Sequence, residues 1–180
     1  MAKLSEKNIN LIANHLIDLY KEAEKDGSKR FTLYFDEAAN YIEGKKADVK
    51  TSAQDICYAV TDSDEYSCSF EIDSNNVGCF TISKPFYEVY AMFYDADDEI
   101  MDGEIVITKN GVMEFEDPKD AIALAQQFDT ADQVVAEYES PIDENVDYLQ
   151  IEVEKVVCRG NDYTECIDII YEETLEFEGR

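Results

Sequence analysis

The side chains of this 180-residue chain that could do chemistry are one histidine, five cysteines and a large surplus of carboxylates. His15 is the single imidazole, so a Ser-His-Asp or Cys-His relay has only one candidate base. It falls three residues after Ile12 and four before Leu19, on the apolar face of a helix, where packing accounts for it. Cys57, Cys68, Cys79, Cys158 and Cys166 form no Cys-x-x-Cys pair and lack partners at zinc spacing. These thiols are expected to act as small buried hydrophobes in a reducing compartment. Neither G-x-x-x-x-G-K-[ST] nor G-x-G-x-x-G occurs, so no glycine loop is marked out to cradle a phosphate.

Hard cations take oxygen ligands, and Asp95-Ala-Asp-Asp-Glu-Ile-Met-Asp-Gly-Glu104 is the densest acidic stretch. A calcium loop of the EF-hand type needs glycine at its sixth position, and counting from Asp95 that position is Ile100. Asp73-Ser-Asn-Asn-Val-Gly78 places the glycine correctly, but its twelfth position is Lys84, which cannot ligate. Residues 95–104 are therefore expected to attract cations without forming a dedicated site. Among 42 acids no pair can be singled out for glycoside hydrolysis. The expectation is a protein without turnover, metal or cofactor. An enzyme holding Mg²⁺ or Mn²⁺ at Asp97, Asp98 and Asp102 is one alternative.

What the carboxylates do as a group is the stronger signal. Forty-two Asp and Glu face 15 Lys and Arg, a net charge of -27, more than solubility requires. The first 50 residues hold nine acids and nine bases and are neutral. The remaining 130 hold 33 acids and six bases, so the whole excess lies beyond residue 50. Adaptation to high salt would acidify the chain throughout and remove lysine, whereas the first segment keeps eight lysines. A local acidic surface that meets a cationic partner fits better. Its candidate residues are Asp95, Asp97, Asp98, Glu99, Asp102, Glu104, Glu152, Glu154, Glu165, Asp168, Glu172, Glu173 and Glu176. Several alternate with apolar residues, as in Leu149-Gln-Ile-Glu-Val-Glu-Lys-Val, which puts them about 6 to 7 Å apart on one strand face, close to the spacing of successive phosphates. Tyrosines at 58, 66, 87, 90, 94, 138, 148, 163 and 171 accompany them, and tyrosine gives rigid contact area with a polar tip.

The elements that must position these residues read as α+β: an N-terminal helix, an antiparallel β-meander, a helical insertion and a C-terminal β-hairpin. Ser5 caps a helix to residue 26, where Asp26-Gly27-Ser28 stops it. Phe31–Phe35 reads as a strand and Asp36–Glu43 as a short helix, and Gly44-Lys-Lys marks a boundary. Period-two segments follow at Asp55–Thr61, Tyr66–Asp73, Val77–Ser83 and Phe86–Tyr94. Gly103–Thr108 and Val112–Glu116 flank Lys109-Asn-Gly111, the clearest hairpin signal in the chain. Asp117-Pro118 opens the helical insertion, near 117–138, which Ser140-Pro141 ends. Asp147–Cys158 and Tyr163–Phe177 close the chain as a hairpin around Arg159-Gly-Asn-Asp162. Two domains are expected, a neutral helical segment 1–50 and an acidic sheet domain 51–180.

In size, in its Met1–Tyr20 opening and in the composition of residues 51–180, the chain resembles the DNA-mimicking inhibitors of phages and mobile elements, among them anti-restriction and type II anti-CRISPR proteins. The resemblance implies a non-catalytic inhibitor whose carboxylates stand in for phosphates. It implies as partner a basic nucleic-acid-binding protein, a nuclease such as a CRISPR effector or a restriction enzyme, with no direct binding of nucleic acid by the inhibitor itself. The same acidic surface would serve an immunity protein against a cationic toxin. Met1-Ala-Lys-Leu runs into an amphipathic segment rather than a signal peptide, and no apolar run reaches membrane-spanning length. A cytoplasmic setting is expected, that of the host if the gene is phage-borne, with oligomeric state open and a dimer compatible.

Overall fold

Period-3.6 and period-2 segments alternate along the chain, and each folds around one of two separate cores. The computed structural model describes residues 2–140, 142–161 and 164–178. Two compact units result, Met1–Pro85 with Val157–Glu165, and Phe86–Val156 with Cys166–Arg180.

In the first unit, helix α1 (Glu6–Lys25) starts at Ser5, whose Oγ accepts from the Asn8 amide. It ends at Asp26, and Gly27 then takes the left-handed conformation (φ 86°), which lets the Ser28 amide return to the Ala23 carbonyl. Ile12, Ala13, Leu16 and Tyr20 are its buried stripe. Strand β1 (Arg30–Tyr34) leads into α2 (Phe35–Tyr41), α3 (Lys46–Thr51) and α4 (Ala53–Thr61). Strands β2 (Ser67–Ile72) and β3 (Gly78–Ser83) complete an antiparallel sheet in the order β1-β3-β2. His15 is half-buried, its ring stacked on Tyr41 at 3.8 Å and 3°.

In the second unit, β4 (Phe86–Tyr94), β5 (Ile100–Ile107), β6 (Tyr148–Cys158) and β7 (Thr164–Glu176) form an antiparallel sheet in the order β5-β4-β6-β7. Val89, Ala91 and Phe93 share the inner face with Ile105, Ile107, Leu149, Ile151 and Val153. Helices α5 (Pro118–Ala125) and α6 (Ala131–Tyr138) cover it with Ala121, Leu124, Ala125, Ala131 and Val134, and Phe128 between them joins the core. Asp117 caps α5 by accepting from the Lys119 amide at 2.9 Å, with Pro118 at the first position. Among the described residues no helix is long and apolar enough to cross a membrane.

The architecture is the expected α+β arrangement, with four differences. Residues 55–61 are helical, not extended. Ala53, Ile56, Cys57 and Val60 are all buried, a spacing of three and four that a helix satisfies and a strand does not. The expected meander is divided between two sheets, because β2 and β3 pair with β1 while β4 pairs with β5 and β6. The units therefore part after Pro85 rather than near residue 50. The Asn110-Gly111 turn is present, with φ of 54° and 77° and Lys109 bridged to Val112. Apart from that bridge, Val112–Glu116 makes only the isolated bridge of Phe115 to Tyr87 and no strand. Pro141, Asp162 and Tyr163, which figured in the expected turn and hairpin limits, lie outside the described residues.

Candidate functional site

Redrawing the boundary concentrates the charge. The first unit carries 17 acids and 11 bases, a net of -6; the second carries 25 acids and four bases, a net of -21. A strand sends successive side chains to opposite faces, so with Val89, Ala91 and Phe93 turned inward, Glu88, Tyr90, Met92 and Tyr94 face the other way. Register puts Glu154, Glu152, Gln150 and Tyr148 of β6 directly beside them. On the other side Val106 and Glu104 of β5 pair with Tyr90 and Met92. Glu172 of β7 is close enough to Glu152 and Tyr94 to repel their ionised forms. The outer face is thus a field of Glu88, Glu104, Glu152, Glu154 and Glu172 set among three tyrosines.

Among the described residues, cations are missing from it. Lys155 is the register partner of Tyr87, on the opposite face; Lys109 is in the β5 turn and Lys119 in α5. Glu88 and Glu154 oppose one another directly, and like charges in that position are destabilising. Glu88 is only 7% exposed and Glu152 only 8%. Burial pushes the carboxyls of Glu88, Glu152 and Glu154 above the ordinary carboxylate range, and neighbouring carboxylates push them further. For Glu88 those neighbours are Glu114, Glu154 and Glu104, partly offset by the hydrogen bond that the Tyr90 hydroxyl donates to it. Glu152 accepts from Gln150 Nε2 at 3.2 Å. Cys166 lies against Glu154, and burial with that charge lifts its thiol to about 11, so it is a poor nucleophile at neutral pH.

The other expected residues lie in the β4–β5 turn, along β5 and β7, or in the first unit. Asp95, Asp97, Asp98 and Glu99 form the β4–β5 turn. There Asp95 Oδ1 accepts from the Asp97 and Glu99 amides, both at 2.9 Å, so its carboxylate holds its own loop. The Asp73 turn is built the same way, through the Asn75 and Val77 amides. Asp98 accepts from the Tyr148 hydroxyl at 2.9 Å, and Tyr148 stacks on Tyr94 at 5.1 Å and 2°. Asp98 and Glu176 meet, with Asp147, Tyr148, Thr174 and Phe177, around a cleft of about 470 Å³. Glu173 accepts from the Tyr171 hydroxyl. Asp168 is exposed on β7, its carbonyl accepting from the Cys166 thiol at 3.6 Å. Glu165 belongs to the first unit, where Arg159 bridges it to Asp64. Asp102 lies in β5 with its side chain outside the description. Among the described residues no three His, Cys, Asp or Glu side chains converge as a metal site.

Sequence reasoning passed over Glu88. Its only local mark is being the single acid in Phe-Tyr-Glu-Val-Tyr-Ala-Met-Phe-Tyr, on the same parity as Tyr90; the strand register is what sets it beside Glu154. Compared with protein-family profiles, curated proteins and solved structures, the chain finds no match in any of the three.

Proposed function

We propose that the outer face of the β5-β4-β6-β7 sheet is a nucleic-acid-mimicking surface, with which this protein occupies the basic binding site of a nuclease and blocks it without turnover. The observation that carries the reading is the Glu88–Glu154 pair: two carboxylates in direct register, one of them buried, with Glu104 and Glu152 beside them and, among the described residues, no lysine or arginine on the face. A sheet alone gains nothing from this arrangement, since it stacks like-charge repulsion on desolvation. Departures from local rules of this kind concentrate where a site serves a ligand. A surface rich in Arg and Lys supplies the missing charge, and Tyr90, Tyr94 and Tyr148 give it rigid contact area. Carboxylates on neighbouring strands, about 5 Å apart, and along one strand, about 6 to 7 Å apart, offer the partner a charge lattice on the scale of a phosphate backbone.

The test is inhibition of DNA cleavage by CRISPR effectors and restriction nucleases, with salt as the variable. Inhibition should compete with DNA and weaken steeply as ionic strength rises. Replacing Glu104, Glu152, Glu154 and Glu172 by glutamine should abolish it while leaving the fold intact by circular dichroism. Inhibition that survives those substitutions, or that is indifferent to salt, would show that this face is not the interface.

A further inference from the structure

Cys57 on α4 and Cys68 on β2 are both fully buried in the first unit, and their sulfurs lie 3.4 Å apart, the Cys68 thiol directed at Cys57 Sγ. They are enclosed by the core that includes Ile56, Val60, Tyr66, Phe80 and Ile82. We propose that this pair is a redox-modification site, at which a peroxide converts two thiols into a disulfide that fastens α4 to β2. A disulfide needs its sulfurs at about 2.0 Å, and these two thiols already touch, so only a short closure separates them from bonding. Cys166, the exposed cysteine, lies instead against Glu154 and the Asp168 carbonyl, where the acidic surroundings disfavour its thiolate.

The chemistry balances with hydrogen peroxide as the two-electron oxidant. One thiolate attacks a peroxide oxygen, the O–O bond breaks, and a sulfenic acid and water form. The second thiolate then attacks that sulfur, the S–O bond breaks, and water leaves as the S–S bond closes. Two thiols and one peroxide give one disulfide and two waters. The adjacent Cys68 thiol, and burial after it, hold Cys57 protonated, and neither sulfur is exposed, so the first step requires the α4–β2 packing to open. The reaction is therefore gated by local unfolding: slow in buffer, and faster in urea too dilute to unfold the chain. Once closed, the short loop from 57 to 68 loses freedom in the unfolded chain, and the folded unit is stabilised.

The experiment treats the full reduced chain with hydrogen peroxide, with and without dilute urea, then blocks remaining thiols and maps peptides by mass spectrometry. The expected product is a Cys57–Cys68 linkage with loss of two hydrogens, several-fold faster in urea, reversed by dithiothreitol and accompanied by a melting temperature higher by on the order of 10 °C. Cys57→Ala should lose both the linkage and the shift; if that variant fails to fold, the mapping on the unaltered chain still decides. Persistence of both thiols in dilute urea, over-oxidation of either cysteine to sulfinic acid, or linkage to Cys79, Cys158 or Cys166 instead would overturn the proposal.

Discussion

Glu88→Gln should make the protein more stable at neutral pH, although it removes a hydrogen-bonded side chain from a β-strand. Three terms decide the sign. The repulsion between Glu88 and the directly opposed Glu154 is relieved, worth about 0.2 to 1 kcal/mol for a cross-strand pair. The penalty of holding a carboxylate charge at a site only 7% exposed is removed, on the order of 1 kcal/mol. Against these, the bond from the Tyr90 hydroxyl weakens from charge-assisted to neutral, a loss of about 1 kcal/mol or less, because the amide oxygen still accepts. The net is a stabilisation of about 0.5 to 1 kcal/mol, or roughly 2 to 8 °C in melting temperature for a unit of this size.

The pH dependence separates this from a simple packing effect. A carboxyl whose folded pKa is raised binds more protons folded than unfolded, so its contribution is fully present below the unfolded value of about 4.3 and is lost as pH rises through the raised one. Glu88, Glu152 and Glu154 all shift upward, by burial first and neighbouring carboxylates second. They should make the wild-type protein gain stability as pH falls from neutral toward that lower limit. The advantage of Glu88→Gln should shrink over the same interval. Urea unfolding at pH 7 and at pH 5 measures both. If Glu88→Gln were destabilised by 1 kcal/mol at pH 7, or its difference from wild type did not change with pH, the repulsive reading of this face would be wrong.

Arg159→Ala should destabilise the first unit by about 2 to 4 kcal/mol, read by thermal melting, because its side chain, 14% exposed, serves Asp64, Glu165 and the Thr61 carbonyl together. Gly78→Ala should cost about 1 to 3 kcal/mol by urea unfolding, since an added Cβ would overlap the fully buried Phe35 ring. Asp95→Ala should speed hydrogen exchange at the Asp97 and Glu99 amides several-fold, and Asp95→Asn should not, because the amide oxygen can still hold the turn.

Local signals that one residue type can carry alone were legible. Ser5 and Gly27 mark the ends of α1, Asp117-Pro118 the start of α5, Asn110-Gly111 a turn, and the limits of β4 coincide with Phe86–Tyr94. Partner choice was not legible, because alternation says which face of a strand is apolar and nothing about which strand lies beside it. That is why β2 and β3 read as one meander with β4. The α4 segment failed for a different reason: Ile56, Cys57, Tyr58 and Val60 favour strands intrinsically, and only burial of Ala53, Ile56, Cys57 and Val60 on one side makes the helix win. The acidic face was half legible. Glu152 and Glu154 stood out by alternation, while Glu88 belongs with them only through a register that no local pattern encodes.

Solubility alone is a weaker account of this charge than the proposed docking surface, and the burial of the carboxylates is what favours the proposal. Charge that serves solvation belongs at exposed tips, where water screens it and repulsion is small. Glu88 and Glu152 instead sit almost out of solvent, where they add little to hydration and most to repulsion. The same position would give them a use toward the proposed cationic partner. Partly desolvated carboxylates are poorly screened, and an arriving guanidinium both satisfies them and lowers their raised pKa values. Docking on this face would then release protons, so affinity should climb with pH up to the raised values and level off above them. A solubilising coat carries no such linkage.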